Sequence, residues 1–345
     1  MLWFIGLGVS GSDSIPNEAT KIIQDADLVY LESFTSPIYN EHKEEIKNLV
    51  KGDFKIAKRW LVEDGKEILK AAKNSTVVLL TYGDPYIATT HIELRTRAKF
   101  EGLETKTIHS ASAITAMIGE VGLQFYKVGK IVTVMSEKKS VVTPYRTIFK
   151  NLLDGLHSII LLEYNQDEDF FLDPKAAILS LLDTEKEQKR NVVNDDTFAI
   201  VVSRIGFKTQ KIISGKFTNL LKIDFGESPH SLIIPGKLHF TELDAISMLT
   251  ECLDKPLDNS NRIKNTSTQM IEKYVPMVRK ALEEIKPFYL ETKKFQDILQ
   301  NAELYINDAE NFLKQGMNEN AILSIGYADG LVDALRMAKG IDPKM

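Results

Sequence analysis

The chain has 345 residues, 43% hydrophobic and 26% charged, so it holds enough apolar material for more than one buried core, and disorder is not the default. Its 43 basic and 48 acidic side chains leave a net charge of −5, with no basic field for nonspecific nucleic-acid binding. The single cysteine, Cys252, permits neither an internal disulfide nor the common zinc frameworks, which points to a reducing, cytoplasmic setting and no metal site.

Residues 2–7 form a short apolar run closed by Gly8, the pattern of a strand buried on both faces of a parallel sheet. No basic leader precedes it, and glycines interrupt it well short of the roughly 20 apolar residues of a membrane span, so neither a signal peptide nor a membrane helix is expected. Pro16 opens a helix to about Asp25, residues 28–31 make a strand ending at Glu32, residues 41–50 a helix and residues 77–81 a further strand. This alternation predicts an α/β domain with a largely parallel sheet over residues 1–111.

A helix over residues 112–119 leads into a second α/β domain, residues 112–254, with strands near 131–135, 158–162, 198–203, 211–214 and 231–234 and helices at 145–153 and 174–182. The closer strand spacing near its end predicts a mixed sheet with antiparallel pairs. Residues 183–196 are dense in charge and read as a solvated helix end and loop. A polar bridge follows Pro256, and Ile271, Tyr274, Val275, Val278, Leu282 and Ile285 then recur at three- and four-residue steps. With Pro287 as an interruption and Gly316 as a C-cap, residues 255–345 read as an all-α helical module.

Gly6-Leu7-Gly8-Val9-Ser10-Gly11 matches G-x-G-x-x-G, with Glu32 where a ribose-binding acid would stand. That fingerprint needs its third glycine at the start of the helix, whereas Ser12, Asp13 and Ser14 separate Gly11 from Pro16, and Asp13 would face a phosphate. The better reading is a glycine turn that lets a small ligand approach the backbone.

Gly83-Asp84-Pro85 follows the strand ending at Thr81, in the loop outside a strand's carboxyl end where open α/β sheets bind ligands. Alone it is an ordinary turn. The segment TYGDPYIATTH (residues 81–91), with IGLG, YLESFTS (30–36), HSASA (109–113), GLQFY (122–126) and PHSLIIPG (229–236) in the same order, resembles the diphthine synthase family of tetrapyrrole-methylase-like enzymes. The resemblance implies two α/β domains that hold S-adenosylmethionine in the cleft between them, leave S-adenosylhomocysteine, and work as a homodimer. The implied reaction is methylation of the amino group of 3-amino-3-carboxypropyl histidine on translation elongation factor 2, in diphthamide biosynthesis. Carried over by position, the cofactor contacts are Val9, Asp84, Ile87, Ser112 and Ala113, with Leu162, Ile205 and His230 from the second domain. The family's larger apolar residue is replaced by Ala113, and its basic stretch after the central strand of the second domain by acidic EYNQDED (163–169). The last 90 residues or so are similar to a small archaeal helical domain of unknown function.

Methyl transfer to an amine creates no net charge, so holding the reacting atoms in line can carry most of the catalysis and no general base is assigned. Asp84 is expected to anchor rather than to take a proton. Phe34, Phe125 and Tyr126 are candidates to face a methylated ammonium, against packing in a domain or dimer core. His91 and His109 are expected to make structural hydrogen bonds, and His230 to act through its backbone. Two other readings stand beside this one: a corrin or porphyrin precursor methyltransferase of the same fold, and a noncatalytic translation-factor adaptor.

Overall fold

β1 (Leu2–Gly6), β2 (Leu28–Glu32), β3 (Asp53–Ala57), β4 (Val77–Thr81) and β5 (Thr105–Ile108) form one sheet in the order β3-β2-β4-β1-β5, every pair parallel. In this computed structural model, which describes residues 1–37, 39–289 and 293–342, the chain divides into two compact units, Met1–Ile263 and Lys264–Met345. β4 is buried at every position, which explains its unbroken apolar sequence VVLLT. Leu2, Phe4, Val77 and Leu79 feed a core on one face of the sheet; Ile5, Val29, Leu31, Val78 and Leu80 feed a core on the other. Helices such as Asn17–Asp25 and Lys66–Ala72 cover these faces.

The rest of the first unit builds a second sheet. Its strands are β6 (Val132–Val134), β7 (Ser158–Leu162), β10 (Phe198–Ser203), β11 (Lys211–Lys216), β12 (His230–Ile234) and β13 (Glu251–Cys252), with a separate two-stranded hairpin of β8 (Tyr164–Asn165) and β9 (Phe170–Phe171) between β7 and β10. The order is β13-β11-β10-β12-β7-β6, antiparallel at its centre and parallel at both edges, the mixed sheet that the strand spacing predicts. Alternate residues again serve two cores: Ala199 and Val201 face one side, Phe198, Ile200 and Val202 the other. Helix Pro174–Gln188 runs six residues beyond its expected end at 182, and Glu185 on it accepts backbone bonds from Asn191, Val192 and Val193, which ties down the charged loop that follows.

The segment from 53 to 72, to which no sequence pattern assigns an element, holds β3 and two short helices, Arg59–Asp64 and Lys66–Ala72. β3 is an edge strand whose alternating DFKIA pattern is only half-buried, so it lacks the continuous apolar signal of its neighbours.

The second unit contains helices Thr266–Ile285, Lys293–Lys314 and Asn318–Ala338. The stripe Ile271, Val275, Val278, Leu282 and Ile285 packs on Ala302, Ile306, Ile325 and Val332. Gly316, at φ +77°, turns the chain between the second and third helices.

Candidate functional site

β1 and β4 leave their sheet side by side, and the loops that follow are stitched together. Leu7 N donates to Thr81 O (2.8 Å), Gly83 N to Gly8 O (2.8 Å) and Gly8 N to Gly83 O (3.2 Å). Gly8 and Gly83 both sit in the left-handed region, at φ +77° and +72°, and a Cβ on Gly6 would stand 2.5 Å from the Gly83 carbonyl oxygen. Residues Gly11–Ser14 form a single 3-10 turn and the helix starts only at Asn17, so no helix N-terminus meets the third glycine. The dinucleotide geometry is not built.

Asp84 is nearly buried and engaged on both oxygens. Oδ1 accepts from Tyr86 N at 2.9 Å; Oδ2 accepts from His109 Nδ1 at 2.7 Å and from Ser110 N at 3.4 Å. The carboxylate therefore ties the loop after β4 to the segment after β5. His91 is fully buried, its Nδ1 near Thr81 Oγ1 and Pro85 O, and burial lowers its pKa to about 4, so its imidazole is neutral. Glu32, fully buried at the end of β2, accepts from Phe34 N and Thr35 N at 3.1 Å each and from the Thr35 hydroxyl. Burial pushes its carboxyl up to about 7 against those hydrogen bonds.

The second sheet contributes the facing wall. Ser112 caps helix Ala113–Val121, its Oγ accepting from Ile114 N, and so presents Ala113 at the helix start. Leu162 ends β7, His230 begins β12, and Ile205 lies just beyond β10. A Cβ on Gly206 would meet Val9 Cγ2 at 2.6 Å, so glycine lets the loop after β10 close onto the loop after β1. Between these walls lies a cavity of about 500 Å³. Val9, Asp84 and Ile87 line it from the loops after β1 and β4; Ser112, Ala113, Leu162, Ile205 and His230 line it from the side of the second sheet. All eight residues singled out by sequence meet there. Burial lowers the pKa of His230, and its Nε2 has no hydrogen-bond partner among the described residues.

The aromatic candidates divide. Phe34 lines the cavity, but the Arg59 guanidinium already stands 5.3 Å over its ring and His91 meets it edge-on. Phe125 and Tyr126 are 59% and 80% exposed and do not line the cavity, so neither faces a methylated group there and neither packs a core within the chain. Sequence reading also missed lining residues: Arg59, and Tyr164 and Phe171, whose rings stack at 4.7 Å in the β8–β9 hairpin. The alternation of DFKIA followed by Lys58-Arg59 was the available signal for Arg59.

Comparison with known proteins agrees with this architecture. A family of tetrapyrrole (corrin/porphyrin) methylases matches residues 1–221, and a family of proteins of unknown function (DUF357) matches residues 273–341. The chain is 36% identical to the diphthine synthase of Methanocaldococcus jannaschii over 256 residues, 73% of this chain and 99% of that one. It is 34% identical to that of Methanosarcina mazei, over 75% of this chain and 99% of the relative. A crystal structure of a diphthine synthase superposes with a TM-score of 0.65 at 28% identity, over 73% of this chain and 96% of that chain. The chain belongs to the diphthine synthase family of tetrapyrrole methylases and is a methyltransferase.

Proposed function

We propose that this member of the diphthine synthase family binds S-adenosylmethionine in the cavity between its two sheets and methylates the amino group of 3-amino-3-carboxypropyl histidine on translation elongation factor 2. The observation that carries this reading is the convergence of Val9, Asp84, Ser112, Leu162 and His230, spread over more than 220 residues of sequence, on one cavity. Its volume suits a ligand of nucleoside size. With no side chain, Gly8 and Gly83 let a ligand approach the backbone closely, and Ile87, Ala113 and Leu162 offer apolar contact.

The cofactor, when bound, supplies an electrophilic methyl group on a sulfonium. The chain's part is to hold the acceptor amine in line with it and to exclude water, and such positioning can contribute up to roughly 7–11 kcal/mol. Asp84 acts as an anchor in this reading, because both oxygens already accept hydrogen bonds from the chain. No base is required: an α-amino-like nitrogen with a pKa near 8 is about one-tenth neutral at pH 7. Tyr164 is no ready proton acceptor either, since burial and nearby acidic groups raise its hydroxyl to about 12.

The acting species in this reading is a homodimer in the cytoplasm. Phe125, Tyr126, Phe240 and Met248 are large, exposed apolar side chains. Their segments adjoin, with Gln124 N donating to Glu242 and Gly122 packed against Ala245 and Leu249. Such a surface favours burial against a second copy. Among the described residues no helix is long and apolar enough to cross a membrane. Sedimentation of the full chain reads the dimer, and Met248→Glu is expected to shift it to monomer.

Incubation with labelled S-adenosylmethionine and elongation factor 2 bearing the unmethylated histidine intermediate, read by intact mass, tests the reaction. The expected gain is one or more methyl masses on the factor; cofactor binding with no mass gain would remove the substrate assignment.

A further inference from the structure

Among the described residues that line the cavity, Arg59 is the only lysine or arginine. Its neighbour Lys58 is already paired, Nζ to Asp167 Oδ1 at 2.8 Å, across to the hairpin of β8 and β9. Arg59 is not committed in the same way. Its Nε lies 4.0 Å from Glu63 Oε1, the outer limit of an ion pair, and both side chains are largely exposed, so the contact is weak and screened. The two terminal amino groups make no hydrogen bond to any described residue. The guanidinium carbon lies 5.3 Å from the ring centroid of Phe34, itself 6% exposed and met edge-on by His91, and this cation–π contact holds the group near the ring without using its N–H donors.

Asp84 accepts from three donors of the chain on its two oxygens, and Glu163 accepts from Ser136 N at 2.7 Å through Oε2. The cavity lining therefore presents one positive fork whose terminal amino groups are free, an arrangement that fits an anionic group arriving with a ligand. An acceptor amine with a carboxylate on the same carbon brings such a group, and a planar fork receives it through two parallel hydrogen bonds. Arg59 is 65% exposed, so it stands at the rim, where a group carried on a large protein arrives.

We propose that Arg59 is the specificity-determining residue that receives the carboxylate beside the methylated amine, so that the enzyme selects an amino-acid-like acceptor over a simple amine. This rests on the functional reading above. Arg59→Gln and Arg59→Lys, assayed with the histidine-intermediate acceptor and with the same acceptor carrying a carboxamide in place of its carboxylate, test it. The binding constant for S-adenosylhomocysteine is measured by calorimetry on each variant. Arg59→Gln is expected to raise the KM for the acceptor at least tenfold while cofactor affinity stays within twofold, and Arg59→Lys to recover part of the loss. The carboxamide acceptor should cost the unsubstituted enzyme a similar factor and cost Arg59→Gln nothing further. Equal use of both acceptors by the unsubstituted enzyme would overturn the proposal, as would a tenfold loss of cofactor affinity in Arg59→Gln, which would assign the fork to the cofactor's own carboxylate. Failure of the unsubstituted enzyme to methylate either acceptor while it binds cofactor would instead overturn the functional reading, and the role of Arg59 with it.

Discussion

Gly8 and Gly83 exchange backbone hydrogen bonds, 3.2 Å in one direction and 2.8 Å in the other, and this pair joins the glycine turn after β1 to the loop that carries Asp84. Directly beneath it, Gly6 has no room for a side chain because the Gly83 carbonyl oxygen occupies the space 2.5 Å away. Gly6→Ala is therefore expected to push the two loops apart and to weaken cofactor binding tenfold or more. Gly83→Ala meets nothing closer than 3.7 Å and fails only by its backbone, at a cost of about 1–2 kcal/mol in the left-handed region. Calorimetric cofactor titration and thermal melts on both variants check this ordering, and equal cofactor affinity in the two would contradict it.

Asp84 separates anchoring from proton transfer. Asp84→Asn keeps one acceptor oxygen but cannot serve both the Tyr86 amide and the His109–Ser110 side with full charge. Loss of charge-assisted bonds of about 1.5–3 kcal/mol predicts cofactor binding weaker by roughly 10- to 100-fold, with kcat at saturation little changed. A variant that binds cofactor normally but has lost turnover would make Asp84 a base.

Glu32 predicts a pH effect of its own. Its folded pKa of about 7 lies above the ordinary value of 4.5, so the native state holds the proton more tightly. Its contribution to stability is present below about pH 4.5 and is lost as pH rises through 7. Glu32→Gln keeps an acceptor for the Phe34 and Thr35 amides and no longer titrates. Melting temperature against pH should lose its decline between 4.5 and 7 in this variant, whereas Glu32→Ala should loosen residues 34–36 at every pH.

Glu242 acts with the opposite sign. It is buried and accepts from His157 Nε2 (3.0 Å), Gln124 N (2.9 Å), His239 N (2.8 Å) and Lys127. Burial works to raise its carboxyl, yet the hydrogen bonds from His239, Lys127 and Gln124 outweigh it and hold the group at about 2. The stability it contributes is present above pH 4.5 and is lost as pH falls toward 2. Glu242→Gln should cost about 3 kcal/mol at pH 7, as for a broken buried ion pair, and flatten the acid limb of chemical-denaturation curves. An unchanged acid limb would show that another carboxylate governs it.

What the sequence by itself determined was whatever local pattern encodes. The runs VVLLT and FAIVVS are buried at every position and SIILL over its first three, and their largely apolar character marked β4, β7 and β10 without any partner in view. The helical stripe from Ile271 to Ile285 was legible for the same reason, since its period follows from one helix alone. The eight cavity residues came from ordered segments rather than from periodicity, and a segment names a residue without naming what its side chain touches. Only the tertiary structure decided that Asp84 is held by His109, 25 residues away, and that Phe34 is covered by Arg59 while Phe125 and Tyr126 stand outside the cavity. The half-buried edge strand β3 escaped notice for a related reason: the sheet partner that stabilises it lies outside its own sequence window. Hydrogen bonds, stacking and exposure are properties of chain segments brought together, and a linear pattern holds no record of which segments those are.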